Sequence, residues 1–200
     1  MSTQAQAHTG AEEHPITLEV TDDLRRNRLT VFFRLLLAIP HFIVLVLWGI
    51  VAWAIGLIAW IVTLITGRMP DGLHNVQAAY LIYQNRVNAY AYLVADPFPP
   101  FGSSGDYPVD LAVAGPEKQN RLTVFFRVLL AIPALILANV LLTLAQVLAF
   151  VGWFVALFTG KLPQGMRDLS AFCLRYYDQT MGYLLLLTQR YPSLSGGPSA

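Results

Sequence analysis

The chain has 200 residues, of which 56% are hydrophobic and only 12% are charged. A typical soluble domain is about 45–50% apolar and about 25% charged, so this composition argues against a soluble enzyme and against a disordered chain. The net charge of +1 supplies no basic field for nucleic acid, and the single cysteine, Cys173, excludes an internal disulfide framework. We therefore expect a membrane protein with no nucleic-acid partner.

Two windows of the sequence, residues 24–70 and 118–167, contain basic residues and no acidic residue. The basic residues are Arg25, Arg26, Arg28, Arg34 and Arg68 in the first window, and Lys118, Arg121, Arg127, Lys161 and Arg167 in the second. In each window they flank an uncharged apolar run, at residues 35–67 and 128–160. A helix that spans a bilayer needs about 20 apolar residues, so each run is long enough to cross.

The two windows belong to a tandem repeat with an offset of 93 residues. Residues 27–40 read NRLTVFFRLLLAIP and residues 120–133 read NRLTVFFRVLLAIP, so 13 of 14 positions are identical. A repeat at a fixed offset predicts two copies of one structural unit. We expect membrane repeats at 14–106 and 107–192, between disordered polar tails at 1–13 and 193–200.

Each repeat has the same predicted elements in chain order. Apolar residues alternate at 16–20 and at 109–113, which indicates a short extended segment. The basic start and the apolar run follow, and a Gly-x-x-Pro signal then ends the long helix. Behind it, apolar residues at helical spacing predict an amphipathic interfacial helix. The fold class is therefore an all-α integral membrane protein built from two tandem repeats.

The apolar run of each repeat allows two arrangements. Residues 29–66 form a helix of about 57 Å, almost twice the ~30 Å of a hydrocarbon core. The run is either a transmembrane hairpin that turns near Trp48 and Gly49, or one long helix kinked at Pro40. The positive-inside rule places both basic starts in the cytoplasm and favours the hairpin. It also predicts a multi-pass protein with cytoplasmic N- and C-termini.

The basic starts contain the candidate ligand contacts. Arg34 and Arg127 each follow two phenylalanines, where a guanidinium either binds a lipid phosphate or another anion, or reaches to the interface and sets the depth. Arg28 and Arg121 are candidates for the same contact and determinants of orientation.

Small residues at i, i+4 and i+7 predict a helix-packing face in both apolar runs. They are Ala52, Gly56 and Ala59 in the first run, and Ala145, Ala149 and Gly152 in the second. His41, the titratable group of the first run, is either a proton relay or a polar side chain near the interface. Its equivalent is Ala134, so the repeat does not preserve it.

The sequence has no phosphate-binding loop, no nucleophile elbow and no metal-ligand spacing among its histidines and Cys173. We therefore expect no enzyme activity, no metal and no cofactor. The predicted function is a structural or accessory membrane component that binds lipid or a membrane protein partner. The alternative is a small transporter or channel that works as a homo-oligomer.

Four motifs carry a resemblance to a known family. They are Leu-Leu-Ala-Ile-Pro-His at 36–41, Thr-Gly-Arg-x-Pro-x-Gly at 66–72, Arg-Val-x-Ala-Tyr at 86–90 and Asp-Pro-Phe-Pro-Pro-Phe at 96–101. The chain resembles a bacterial, actinobacterial-type membrane family, domain of unknown function 4389. This resemblance implies an integral membrane protein and carries over no activity, ligand or catalytic residue. We expect the protein in the bacterial cytoplasmic membrane. Repeat 2 departs from the motifs at Ala134 and Gln179.

Overall fold

The computed structural model describes residues 14–195, so the predicted tail at 1–13 and residues 196–200 of the predicted tail at 193–200 lie outside the described residues. Its elements are β1 (Ile16–Val20), α1 (Arg28–Thr66), α2 (Asp71–Ala91), β2 (Val109–Val113), α3 (Arg121–Phe125), α4 (Arg127–Thr159) and α5 (Gln164–Leu184). Each repeat has a strand, a long apolar helix and a shorter polar helix, and a turn at Phe126 divides the long helix of repeat 2. The helical fold with an extended segment before each repeat is as predicted.

The ends of α1 follow from local sequence. The side chain of Asn27 accepts a hydrogen bond from the backbone N–H of Leu29, which is the usual N-cap interaction. The helix ends at Gly67, whose φ of 79° is a left-handed conformation that costs glycine little. Asn120 and Gly160 have the same two roles in repeat 2.

The predicted hairpin is wrong. The structure has instead the alternative, one helix of 39 residues that continues through Trp48 and Gly49. No polar residue stands near Trp48 and Gly49, so the backbone has no reason to leave the helix there. Gly49 is a packing position, because a Cβ added to it would lie 3.1 Å from the hydroxyl of Tyr80 on α2.

The two strands pair the repeats with each other. They are antiparallel, and Leu18 lies opposite Leu111, which is its own equivalent 93 residues later. A pseudo-twofold axis therefore passes through this pair. The apolar side chains of the ribbon point inward, while the opposed acids Glu19 and Asp110 are exposed on its outer face.

The same axis relates contacts between the long helices. The indole N–H of Trp153 donates to the carbonyl of Val31, and that of Trp60 donates to Val124, both at 2.8 Å. The beginning of each long helix thus lies beside the end of the other, so α1 and α4 are antiparallel. Arg28 therefore lies next to Gly160. By the same symmetry the two basic starts lie at opposite ends, whereas the sequence prediction put them on one side.

The helices α2 and α5 form a middle layer. The ribbon packs on α2 and α5, and each long helix packs on the polar helix that follows it. Gly182 of α5 lies against Ile16 of β1, while Gln77 of α2 donates to the carbonyl of Ala52 on α1 at 2.7 Å. The order of layers is ribbon, polar helices, apolar helices.

This layering reverses the usual distribution of polar residues. The polar helices bury many polar side chains, including Gln77, Asn85 and Arg86 of α2. They are covered by the ribbon on one side and by the long helices on the other, whereas the amphipathic pattern had predicted one open polar face. The long helices instead leave most of their large apolar side chains exposed.

Candidate functional site: two buried arginines and their pockets

Arg34 caps the C-terminal end of α2. Its Nη1 donates to the carbonyls of Tyr90 at 2.6 Å and Ala95 at 2.9 Å, and its Nη2 is 2.7 Å from a carboxylate oxygen of Asp96. The guanidinium carbon also lies 4.4 Å from the centre of the Tyr90 ring. A helix end leaves its last carbonyls without partners, so a buried cation there satisfies both the hydrogen bonds and the helix dipole.

Arg127 does the same for α5. Its Nη1 donates to the carbonyls of Tyr183 at 2.7 Å and Thr188 at 3.0 Å, and the Tyr183 ring lies 4.5 Å away. Its Nη2 donates to the side-chain oxygen of Gln119 at 2.7 Å. Within residues 14–195, no carboxylate lies within salt-bridge distance of Arg127.

In each repeat, a second side chain binds the turn that follows the polar helix. Leu93 and Leu186, just after α2 and α5, have φ values of 63° and 66°, which are rare for a branched side chain. Arg26 donates to the Leu93 carbonyl, and its equivalent Gln119 donates to the Leu186 carbonyl. These hydrogen bonds from buried side chains stabilise the two turns in their strained conformation.

The structure separates the four predicted lipid contacts into two groups. Arg34 and Arg127 are each 1% exposed and bonded to the protein itself, a role that the sequence analysis did not predict. The available signal was the repeat, which preserves each arginine together with Tyr90 or Tyr183. Arg28 and Arg121 are exposed, each at the start of its own long helix and therefore at opposite ends of the antiparallel pair.

The two arginine sites differ in charge. Asp96 accepts from Arg34 and from the backbone N–H of Asn27, but its equivalent in repeat 2 is the neutral Gln189. The charge of Arg34 is thus balanced by a carboxylate, whereas that of Arg127 meets only neutral oxygens at hydrogen-bond distance.

Each arginine lines an apolar pocket between the long helices. The pocket beside Arg34 has a volume of about 460 Å³ and the pocket beside Arg127 about 310 Å³. The pseudo-twofold axis relates them, since Leu35, Ala149 and Trp153 of the first correspond to Val128, Gly56 and Trp60 of the second. Both volumes lie within the range of about 300–1,000 Å³ that is typical of small-molecule sites.

The predicted packing residues lie on the inner side of the long helices. Four of them are buried: Ala52, Ala59, Ala145 and Gly152. The other two, Gly56 and Ala149, are half-buried and line the pockets. A buried small residue can also contact a polar neighbour: the backbone carbonyl of Ala52 accepts a hydrogen bond from the side chain of Gln77.

His41 has a buried aromatic surrounding. Its Nδ1 lies 2.7 Å from the hydroxyl of Tyr83, and the rings of Phe101 and Phe98 are 4.3 and 4.6 Å from the imidazole. The Nε2 atom has no hydrogen-bond partner in the structure. His41 thus lies under the loop that follows α2 and has no counterpart in repeat 2.

The polar middle layer contains an equivalent pair of buried side chains, Asn85 and Asp178. Both are completely buried, and neither has a hydrogen-bond partner for its terminal side-chain atoms. Burial raises the pKa of the Asp178 carboxyl well above its ordinary value. Throughout residues 14–195, no three His, Cys, Asp or Glu side chains are grouped so that they could hold a metal ion.

Comparisons with known proteins add one finding. No curated protein and no solved structure matches the chain. The family model described as Domain of unknown function (DUF4389) matches twice, at residues 28–103 and 121–195, and so covers most of both repeats. The chain therefore belongs to the DUF4389 family and carries two tandem copies of its domain.

Proposed function

We propose that the protein is a non-enzymatic structural component embedded in one leaflet of the bacterial cytoplasmic membrane, with lipid as its partner. The observation that carries this proposal is the position of the apolar surface. Large apolar side chains are exposed along α1 and α4, whereas Glu19 and Asp110 are exposed on the ribbon, beyond the polar helices. An apolar face opposite a polar one is typical of proteins that lie in a membrane interface.

The length of the long helices favours a position in the plane of the membrane. α1 and α4 are also long and apolar enough to cross a bilayer. A 33-residue apolar run is about 50 Å long, so spanning a ~30 Å core would need a tilt of about 53°. Spanning helices tilt on average by about 20° and up to about 40°.

The ribbon gives a second argument. Since the axis through Leu18 and Leu111 relates the ends of the long helices, helices that crossed the membrane would place the ribbon at mid-depth. The ribbon has unpaired strand edges and exposed acids, which hydrocarbon does not accommodate. A position in one leaflet leaves the ribbon in water.

The basic residues give a third argument. They are exposed at both ends of the antiparallel pair: Arg25, Arg28 and Lys161 at one end, and Arg68, Lys118 and Arg121 at the other. A spanning protein concentrates its basic residues on the cytoplasmic side. In one leaflet, both ends instead reach the anionic headgroups of the same surface.

The test is sidedness at the two ends. Gly72 and Gly165 are equivalent residues at opposite ends, and a side chain added to either meets open space. Cells that express Gly72→Cys or Gly165→Cys, in a Cys173→Ala background, are treated with a membrane-impermeant maleimide before or after permeabilisation.

We expect both positions to be labelled after permeabilisation only. Ala200→Cys reports the side of the C-terminus in the same experiment. Labelling of Gly72→Cys and Gly165→Cys from opposite sides would overturn the proposal. It would restore the membrane-spanning interpretation, for which the small oligomeric transporter is the alternative function.

A further inference from the structure

We propose that the pocket beside Arg127 binds one acyl chain of an anionic phospholipid, whose phosphate balances the charge of this arginine. The inference rests on the proposed function only in requiring that α1 and α4 face lipid. It assigns different lipid preferences to two pockets that the repeat makes equivalent.

The Arg127 pocket is shaped and placed for an acyl chain. Its wall includes Trp53, Leu57 and Val128, which are also exposed on the apolar face of the long helices. The pocket is therefore continuous with the surface that contacts lipid, and a chain enters it without crossing water. Its exposed wall is almost entirely apolar, which suits a methylene chain and not a sugar or a nucleotide.

The charge of Arg127 points to an anionic head. A buried cation is costly unless a negative group balances it; the end of α5 supplies only about half a negative charge, and the hydrogen-bond partners of Arg127 are neutral. Glu117 acts on it electrostatically, but its carboxylate is bonded to Thr188 and to the backbone of Gln189. The Nε of Arg127 is buried and has no hydrogen-bond partner.

The equivalent pocket supplies an internal comparison. Arg34 lines it in the same way and also has an unpartnered Nε, but Asp96 lies 2.7 Å from its guanidinium. Because this charge is already balanced, the Arg34 pocket should accept an acyl chain with no preference for an anionic head. A selective site is therefore expected at Arg127 alone.

The experiment is native mass spectrometry of the full chain in detergent, with phosphatidylglycerol or phosphatidylcholine of identical acyl chains. Val128→Trp narrows the Arg127 pocket, and Leu35→Trp is the matched change in the Arg34 pocket. Both residues are exposed, so neither change disturbs the interior. Arg127→Gln tests the charge, and circular dichroism confirms that each variant is folded.

We expect the unaltered chain to retain one phosphatidylglycerol about tenfold more tightly than phosphatidylcholine. Val128→Trp and Arg127→Gln should abolish this preference, and Leu35→Trp should preserve it. Equal retention of the two lipids, or equal effects of the two tryptophan substitutions, would overturn the inference. If Arg127→Gln does not fold, the comparison of Val128→Trp with Leu35→Trp still shows whether the lipid preference depends on the Arg127 pocket.

Failure of this inference can be told apart from failure of the proposed function. Labelling of Gly72→Cys and Gly165→Cys reports only how the protein lies in the membrane. If they are labelled from opposite sides while the lipid preference persists, only the single-leaflet placement is wrong. Labelling from one side without any lipid preference contradicts only the site at Arg127.

Discussion

The depth of α1 along its length separates a helix in the membrane plane from one that crosses it. Leu29, Leu47 and Ile65 are all exposed, and successive positions are 18 residues apart. Eighteen residues make about five helical turns, so the three side chains lie on the same side of α1 at intervals of about 27 Å. Each is replaced in turn by a spin-labelled cysteine in a Cys173→Ala background. Native Cys173 is buried, and its burial raises the pKa of the thiol.

The two placements differ by a measurable distance. In one leaflet, all three labels lie at similar depths, about 5–10 Å below the boundary between headgroups and acyl chains. In a spanning helix tilted by 40°, adjacent labels differ in depth by about 21 Å, and without tilt by about 27 Å. Power saturation with oxygen and a nickel chelate, on protein reconstituted in vesicles, measures these depths.

Repeat 2 supplies the matched control. Leu122, Val140 and Phe158 are the equivalents of the three positions and are equally exposed on the long helix of that repeat. The single-leaflet placement requires similar depths for all six labels. A label at Leu47 or Val140 that lies about 20 Å deeper than the labels at both ends would refute the reasoning.

Three further predictions concern the interior. Burial raises the pKa of Asp178 in the folded state, so folding stability falls as the pH rises above the ordinary carboxyl pKa. Asp178→Asn places at this position the residue that repeat 1 has there, Asn85. The substitution should raise the unfolding temperature at pH 7 and make that temperature depend less on pH. A lower unfolding temperature at pH 7 would contradict this. Trp153→Phe removes one hydrogen bond between the repeats and should cost about 0.5–1.5 kcal/mol in a denaturant titration, whereas no loss would mean that this contact is not formed. His41→Ala leaves the buried hydroxyl of Tyr83 without its partner and should cost about 1–3 kcal/mol; adding Tyr83→Phe should recover part of the loss, and simple additivity would exclude the coupling.

Local signals in the sequence predicted most of the elements. The alternation at residues 16–20, the Gly-x-x-Pro signal that begins at Gly67, and the 93-residue offset all correspond to features of the structure. The first two signals work because a helix end or an alternating strand depends on residues only a few positions apart. The hairpin failed because the positive-inside rule concerns where basic residues lie and not whether the backbone turns, and α1 continues as a helix through Trp48 and Gly49.

The candidate site was predicted less well, because it depends on distant contacts. Arg34 donates to the carbonyl of Tyr90, which is 56 positions later in the chain, and nothing near Arg34 in the sequence indicates a helix end. The polar residues of α2 were similarly interpreted as a surface, since composition does not tell which layer covers them. Repetition of the Arg34–Tyr90 pair as Arg127–Tyr183 was the one signal that could have joined them.

The pairing of β1 with β2 has a consequence for how the chain is made. During synthesis, the arm that ends at Val20 has no partner strand until the residues up to Val113 have been added. Repeat 1 therefore waits for repeat 2 before its ribbon closes. A protein with a single copy of this domain could make the same ribbon only by joining a second chain. The duplication thus converts what would be an encounter between two molecules into an intramolecular folding step that does not depend on protein concentration.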